Sequence, residues 1–403
     1  MNQSTPLNVD AYGRFMAEAF DERQIIGVPT GFQAFFGRQE SGSQTVFSPD
    51  ALDVDIDIIR GNERLAAMII RGNDSIDLDR KALNEQKFSA FSRKYPLIEG
   101  EGQLSADQIN YRVAGENPYQ SKTKLDRLRL LARNIHMEKV RRIVRTFEYL
   151  AAQSILTGKM DAIIGTASSA LKYDFLRPSG HIVAAAEEWN GTTPNILGDD
   201  IDPACDKVRS IGHMTPDMMV VGSGAYAAFI KDVEIQKLAD IRRYEMIQVG
   251  QVNVDQRYSR FVAGGMIPRG RIMTPAGYEL MVFTYNDTYD NASGVATKYL
   301  PTDMVLICSS GARCDRYFGP SEMLPMSAGR AAWHQELFGF NPEMAPMPPN
   351  IKNLGEVISP AMFYFDAYPS ANQKTVTLRA QAAPIFATTM TDCFVTITGT
   401  LTS

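Results

Sequence analysis

One stretch dominates the pattern of apolar and polar positions. From Ser121 to Thr157 the chain runs SKTKLDRLRLLARNIHMEKVRRIVRTFEYLAAQSILT, with neither proline nor glycine until Gly158. Apolar residues recur there at helical spacing in two sets: Leu125, Leu128, Leu131, Ala132, Ile135, then Val140, Ile143, Val144, Phe147, Leu150, Ala151. That spacing predicts one amphipathic helix over 121–157, roughly 50–55 Å long at about 1.5 Å per residue. Ser121 or Thr123 caps its start, Thr123 and Asp126 having capping-box spacing. Gly158 supplies the residue that ends it. His136 to Lys139 interrupt the stripe, so the buried face shifts or the helix bends there. The opposite face is basic, with Lys122, Lys124, Arg127, Arg129, Arg133, Lys139, Arg141, Arg142 and Arg145 set against Asp126, Glu138 and Glu148. Charge runs usually mark a solvated face. With few acids in the helix, a subunit contact or phosphate groups are the competing readings.

Elsewhere the period shortens. Residues 1–40 mix short amphipathic pieces with turn signals. Phe32, Phe35 and Phe36 are too apolar for such a segment to bury alone, so they are expected to dock on the body or on a neighbouring chain. Asp53 to Ile58 alternates acid and apolar residues strictly, a half-exposed strand, with Leu65 to Arg71 as its partner. Gly72 to Ala106 is polar, of mixed charge, and long for a loop without a core signal. Phe88, Phe91 and Tyr95 argue against disorder, so it reads as a projection that packs on something else. Ile109 to Val113 is a returning strand.

Beyond Gly158, strands are expected at Asp161–Ile164, Leu171–Phe175, Ile182–Ala186, Met218–Val221, Val305–Cys308, Met362–Asp366, Thr375–Ala382 and Phe394–Thr398. Helices are expected from Asp202 to Ile211 and from Ala225 to about Leu238. Residues 315–355, rich in Met and Pro, read as a surface excursion. The class is α+β, mostly antiparallel, with no repeat and no clean linker.

Composition narrows the function classes. The chain of 403 residues has length for two or three modules. Forty-one basic residues against 46 acidic ones give a net charge of -5, which does not suggest a dedicated nucleic-acid binder. No apolar run reaches the ~18–20 residues of a membrane span, and the first residues lack a secretory signal pattern. Cys205, Cys308, Cys314 and Cys393 show no pairing pattern, so reduced thiols are expected. Gly222-Ser223-Gly224-Ala225-Tyr226-Ala227 has the G-x-G-x-x-A form of a dinucleotide turn. Its window for a ribose-binding acid, Ile241 to Glu245, is charged and continuous with the predicted helix, so a plain strand-to-helix turn is the better reading. His136, His181, His213 and His334 lack metal-ligand spacing, and Cys308 and Cys314 match no zinc pattern. Asp199, Asp200 and Asp202 read as charges complementing a helix start. No catalytic constellation, metal site or cofactor site is expected.

Several strings taken in order carry a resemblance: Tyr149 to Lys159 at the end of the long helix, Tyr173-Asp174-Phe175, and Trp189-Asn190 ahead of Asp199 to Asp202. Met214-Thr215-Pro216-Asp217 with the strand–Gly-Ser-Gly–helix, and Arg313 to Gly319, continue it. With a leading arm, a polar projection and one very long helix, the chain resembles the lambda-like major capsid protein E family of tailed bacteriophages, of the Hong Kong 97-type capsid fold. The resemblance implies an N-terminal arm (1–45) and P-domain strands (46–71 and 107–120) flanking an E-loop (72–106). It further implies a P-domain (121–212) with spine helix 121–157, an A-domain (213–374) and closing P-domain strands (375–403).

Also implied is self-assembly as hexamers and pentamers into an icosahedral head around double-stranded DNA, in the virion, after assembly in the host bacterial cytoplasm. Partners would be portal, scaffold and decoration proteins, without a membrane. Arg127, Arg129, Arg133, Arg141, Arg142 and Arg145 would face DNA or other subunits. Phe88, Phe91, Arg93 and Tyr95 would make E-loop contacts, and Phe32, Phe35 and Phe36 arm contacts. No sequence feature marks Lys81, Lys87 or Lys94 for a covalent crosslink. The rival readings are an encapsulin-like shell, another phage structural protein and a nucleotide-binding oxidoreductase.

Overall fold

The computed structural model describes residues 28–38, 41–48, 53–59, 89–94, 96–105, 124–162, 171–191, 194–236, 255–291, 293–319, 364–369 and 375–401. The long apolar stripe forms one α-helix, α1 (Lys124–Thr157). Its second apolar set is the buried face, from Val140 through Ile143, Val144, Phe147 and Leu150 to Ala151. Gly158 stops the helix at φ +70°, its N–H donating to the Ser154 carbonyl at 3.0 Å. Ser121 and Thr123 lie outside the described residues.

Ahead of α1 come β1 (Thr45–Phe47), β2 (Asp53–Ile58), β3 (Ser89–Lys94) and β4 (Ile98–Ser105). After it come β5 (Lys159–Ala162), β6 (Leu171–Asp174), β7 (Ile182–Ala184), helix α2 (Asp202–Ser210), β8 (Met218–Val221) and helix α3 (Ser223–Phe229). A short helix α4 (Ser259–Ala263) precedes β9 (Ile267–Met273), β10 (Glu279–Thr284), the hairpin of β11 (Thr288–Asp290) and β12 (Ala296–Lys298), β13 (Val305–Cys308) and β14 (Cys314–Phe318). The chain closes through β15 (Tyr364–Pro369), β16 (Thr375–Ala382), β17 (Pro384–Thr388) and β18 (Phe394–Thr398).

A six-stranded sheet in the order β7-β18-β13-β8-β10-β9 is the central layer. Its inner strands are continuous apolar runs, MMVV in β8 and VLIC in β13, because both faces are covered. Alternate residues serve two cores. Met218, Val220, Leu306 and Cys308 join the core containing α1, while Met219, Val221, Val305 and Ile307 join the one under α2, α3 and Trp189. Pairings β7–β18, β8–β10 and β1–β14 are parallel, and the other pairings among the described residues are antiparallel.

Three expectations need correction. Segment 72–106 reads in sequence as a projecting loop without a core signal, yet its described part supplies β3, paired with β2, and β4, paired over its length with β16. IEGEGQLS has no apolar face of its own. Its ladder comes from residues some 280 positions away, a pairing that local pattern does not reveal. Of the two surfaces expected for Phe32, Phe35 and Phe36, the body or a neighbouring chain, it is the body that takes them: they belong to the chain's own core, each at most 2% exposed. Burying three Phe side chains is worth about 2 kcal/mol each, enough to hold an irregular segment on the body. Residues 315–318, placed in the surface excursion, form the buried strand β14; 320–355 lie outside the described residues. The helix expected to run to Leu238 ends at Phe229, with a further turn at 233–236. The strands expected at 65–71 and 109–113 also lie outside the described residues.

Candidate functional site

The glycine turn is filled by its own chain. A Cβ on Gly222 would lie 2.2 Å from the Pro301 carbonyl oxygen, and one on Gly224 would lie 2.5 Å from Leu401 Cδ1. The Gly222 N–H donates to Met304 O at 2.9 Å, and the Ala225 N–H to Thr302 O at 2.8 Å. Lys298 Nζ donates to Ser223 Oγ at 2.5 Å. Segment 301–304 thus takes up N–H groups that a pyrophosphate would need. The glycines are explained by that close crossing. Residues 241–245 lie outside the described residues.

The acidic cluster is equally occupied. Asp200 accepts from Ala186 N at 2.8 Å and from Trp189 Nε1 at 2.6 Å. Asp202 accepts from Ala276 N at 3.2 Å, and Asp199 from Asn195 Nδ2 at 3.1 Å. Among the described residues no group of three His, Cys, Asp or Glu is placed to hold a metal. All four cysteines are free and buried; burial pushes each thiol up, Cys205 and Cys393 to about 12.

What the structure does build is a set of anchors along α1. At its C-terminal end Arg177 reaches across from the chain after β6. Nη1 donates to Ile155 O at 2.9 Å and Leu156 O at 2.8 Å, and Nη2 to Phe394 O at 2.6 Å and Thr396 Oγ1 at 3.0 Å. Thr396 Oγ1 donates to Leu156 O at 2.8 Å. Carbonyls left open by the end of the helix are therefore closed by a cation, where the helix dipole favours one. Burial lowers the Arg177 guanidinium to about 9, and Gly158 packs where a Cβ would lie 2.5 Å from Arg177 Cβ.

Midway along the buried half sits Glu148, fully buried. Its carboxylate accepts from Phe32 N at 2.7 Å, Gln33 N at 3.1 Å and Tyr285 Oη at 2.7 Å. Burial pushes it up to about 7, against the downward pull of those hydrogen bonds. The helical pattern alone sets Glu148 on the exposed basic face. It instead caps the first turn of the Phe32–Phe36 segment. Ser154 Oγ pairs with Thr388 Oγ1 at 2.8 Å, and Gln33 Nε2 donates to Val144 O at 3.2 Å.

Of the arginines on the basic face, Arg142 and Arg145 are exposed and Arg127 and Arg141 half-buried. Arg142 is paired with Glu138 on its own helix. Arg129 and Arg133 lie on α1, their side chains outside the described residues. The β2–β3 register sets Phe91 opposite Ile56 and Arg93 opposite Val54; Phe88 and Tyr95 lie outside the described residues. Exposed apolar side chains fall at both edges of the central sheet, Ile182 on β7 and Ile267 and Met273 on β9, and near α3 at Ile230 and Val233. Sequence reasoning missed these edges, since only sheet order shows which strands are outermost. It also missed Glu148 and Arg177, whose partners are distant in sequence.

A family model described as phage major capsid protein E matches residues 52–398. No curated protein matches the chain. Among solved structures, an E. coli CFT073 prophage protein described as its capsid protein superposes with a TM-score of 0.59 at 14% identity, covering 98% of this chain and 99% of the other. The capsid of cyanophage P-SCSP1u gives a TM-score of 0.41 at 10% identity, covering 89% and 86%. The SrpI encapsulin of Synechococcus elongatus PCC 7942 gives 0.40 at 10% identity, covering 88% and 84%.

Proposed function

The chain belongs to the phage major capsid protein E family, and from that premise we propose that it assembles as hexamers and pentamers into the icosahedral head of a tailed bacteriophage. The observation that carries this reading is the family match over 52–398 on a chain whose fold superposes, end to end, on a prophage capsid protein. The role is structural, without catalysis, and the particle is built in the host cytoplasm before it becomes the virion shell. Portal, scaffold and decoration proteins are its partners.

In this reading α1 is the spine of a P-domain. The layer of β8, β9, β10 and β13 belongs mainly to an A-domain, and β3 and β4 to the E-loop and its root. Exposed Arg142 and Arg145 suit contacts to packaged DNA, which would be independent of sequence and weakened by salt. The apolar sheet edges suit contacts between subunits, where many modest interfaces sum to a stable shell.

The test is negative-stain microscopy and sedimentation of the chain expressed alone and with its neighbouring phage genes. Closed particles or capsomer rings are expected. A monomer or dimer under every condition would contradict the proposal. Closed particles that hold a protein cargo and no DNA would favour an encapsulin-like shell.

A further inference from the structure

We propose that Glu148 is a proton-operated latch, coupling the docking of the 28–38 segment on α1 to the protonation of one buried carboxyl. Three elements meet at this group. The segment gives the Phe32 and Gln33 N–H groups, the exit of β10 gives the Tyr285 hydroxyl, and α1 carries the carboxyl itself. The Phe32 and Tyr285 rings stand edge to face, centroids 5.3 Å apart, and Glu148 has no exposed surface.

The charged and titratable groups around the site do not neutralise it. On α1, Arg145 accepts the Tyr299 hydroxyl through its backbone carbonyl at 3.4 Å, and its charge acts on Tyr299. Beyond β10 stand Tyr285 and Asp287, a second acid. Beyond β12 stands Tyr299, and on the segment the polar neighbour is Gln33. Among the described residues, none of the groups acting on Glu148 is a cation. All three partners donate and so favour the ionised form, while full burial disfavours it, and burial outweighs them.

Undocking the segment would return the carboxyl to water and to ordinary acidity. The docked form has the higher affinity for the proton, so docking is favoured at low pH and weakens as pH rises through the titration of the docked state. The chain ahead of Val28 is covalently continuous with this segment, which therefore gives the N-terminal end a pH-dependent attachment. This holds for the subunit itself and does not depend on the assembly reading.

The experiment is hydrogen exchange at the Phe32 and Gln33 amides of the full chain, corrected for the intrinsic exchange rate. Between pH 5.5 and pH 8 the opening equilibrium of these amides should rise about 25-fold and then level off. In Glu148→Gln the rise should vanish. A flat wild-type profile, or the same rise in Glu148→Gln, overturns the proposal. Should that variant not fold, Tyr285→Phe removes a hydrogen bond that favours the ionised form. The midpoint must then move to higher pH; an unmoved or lower midpoint also overturns the latch.

Discussion

Replacing Arg177 by Met keeps most of the side chain's length and removes every donor. The consequences follow from which carbonyls have a second partner. Leu156 O keeps the Thr396 hydroxyl at 2.8 Å, and Phe394 O keeps His181 Nδ1 at 3.2 Å. Ile155 O, which takes Arg177 Nη1 at 2.9 Å, loses that donor. A buried carbonyl stripped of its donor costs about 1–3 kcal/mol, and loss of a cation at a helix C-terminus costs about 0.5–1 kcal/mol more. Against this, a desolvated guanidinium whose Nε is buried with no partner among the described residues is no longer held in the fold. The net expectation is a loss of about 2–3 kcal/mol in urea unfolding of unassembled subunit, followed by near-ultraviolet circular dichroism.

Arg177→Lys should recover only part of it, because one ammonium cannot span four acceptors. Thr396→Val alone should cost about 1 kcal/mol, since Arg177 still holds Leu156 O. Combined with Arg177→Met it leaves that carbonyl bare, so the double loss should exceed the sum by about 1 kcal/mol. A single-variant loss below about 0.5 kcal/mol, or strict additivity, would refute the clamp.

Gly158→Ala forces an L-residue to φ +70° and sets its Cβ 2.5 Å from Arg177 Cβ, so a loss of at least about 1–2 kcal/mol is expected in the same unfolding assay. Ile267→Glu and Met273→Glu alter exposed side chains of the edge strand β9; subunit stability should change by less than about 0.5 kcal/mol, while light scattering should show assembly slowed or lost. His181, which burial lowers to about 4 from 6.5, is neutral in the fold. Its share of stability is full above pH 6.5 and drains away as pH falls through about 4, by at most about 3 kcal/mol. His181→Phe should flatten that acid limb in unfolding curves measured from pH 7 to pH 4.

What the sequence revealed was set by where each element's partners lie. The long helix was legible because its stripe and its stop are local, and Gly158 ends it where expected. The alternating acids of β2 showed a half-exposed strand for the same reason. β4 was not legible: its residues alternate glycine with acid, and only β16, from the far end of the chain, makes it a strand. Glu148 looked like one more surface charge because nothing near it in sequence announces Phe32, Gln33 and Tyr285. Phe32, Phe35 and Phe36 were rightly judged to need a docking surface; that surface is the chain's own core. The Gly-Ser-Gly string shows the limit of motif reading, because its small residues accommodate the crossing at Pro301 and Thr302.

Whether this subunit builds a closed icosahedral shell is tested most directly by cryo-electron microscopy of particles formed by the full chain. The expected result is five- and six-membered rings of subunits of this fold, with Ile267 and Met273 covered by neighbouring copies. A helical tube, or a discrete oligomer that leaves those edges bare, would contradict it.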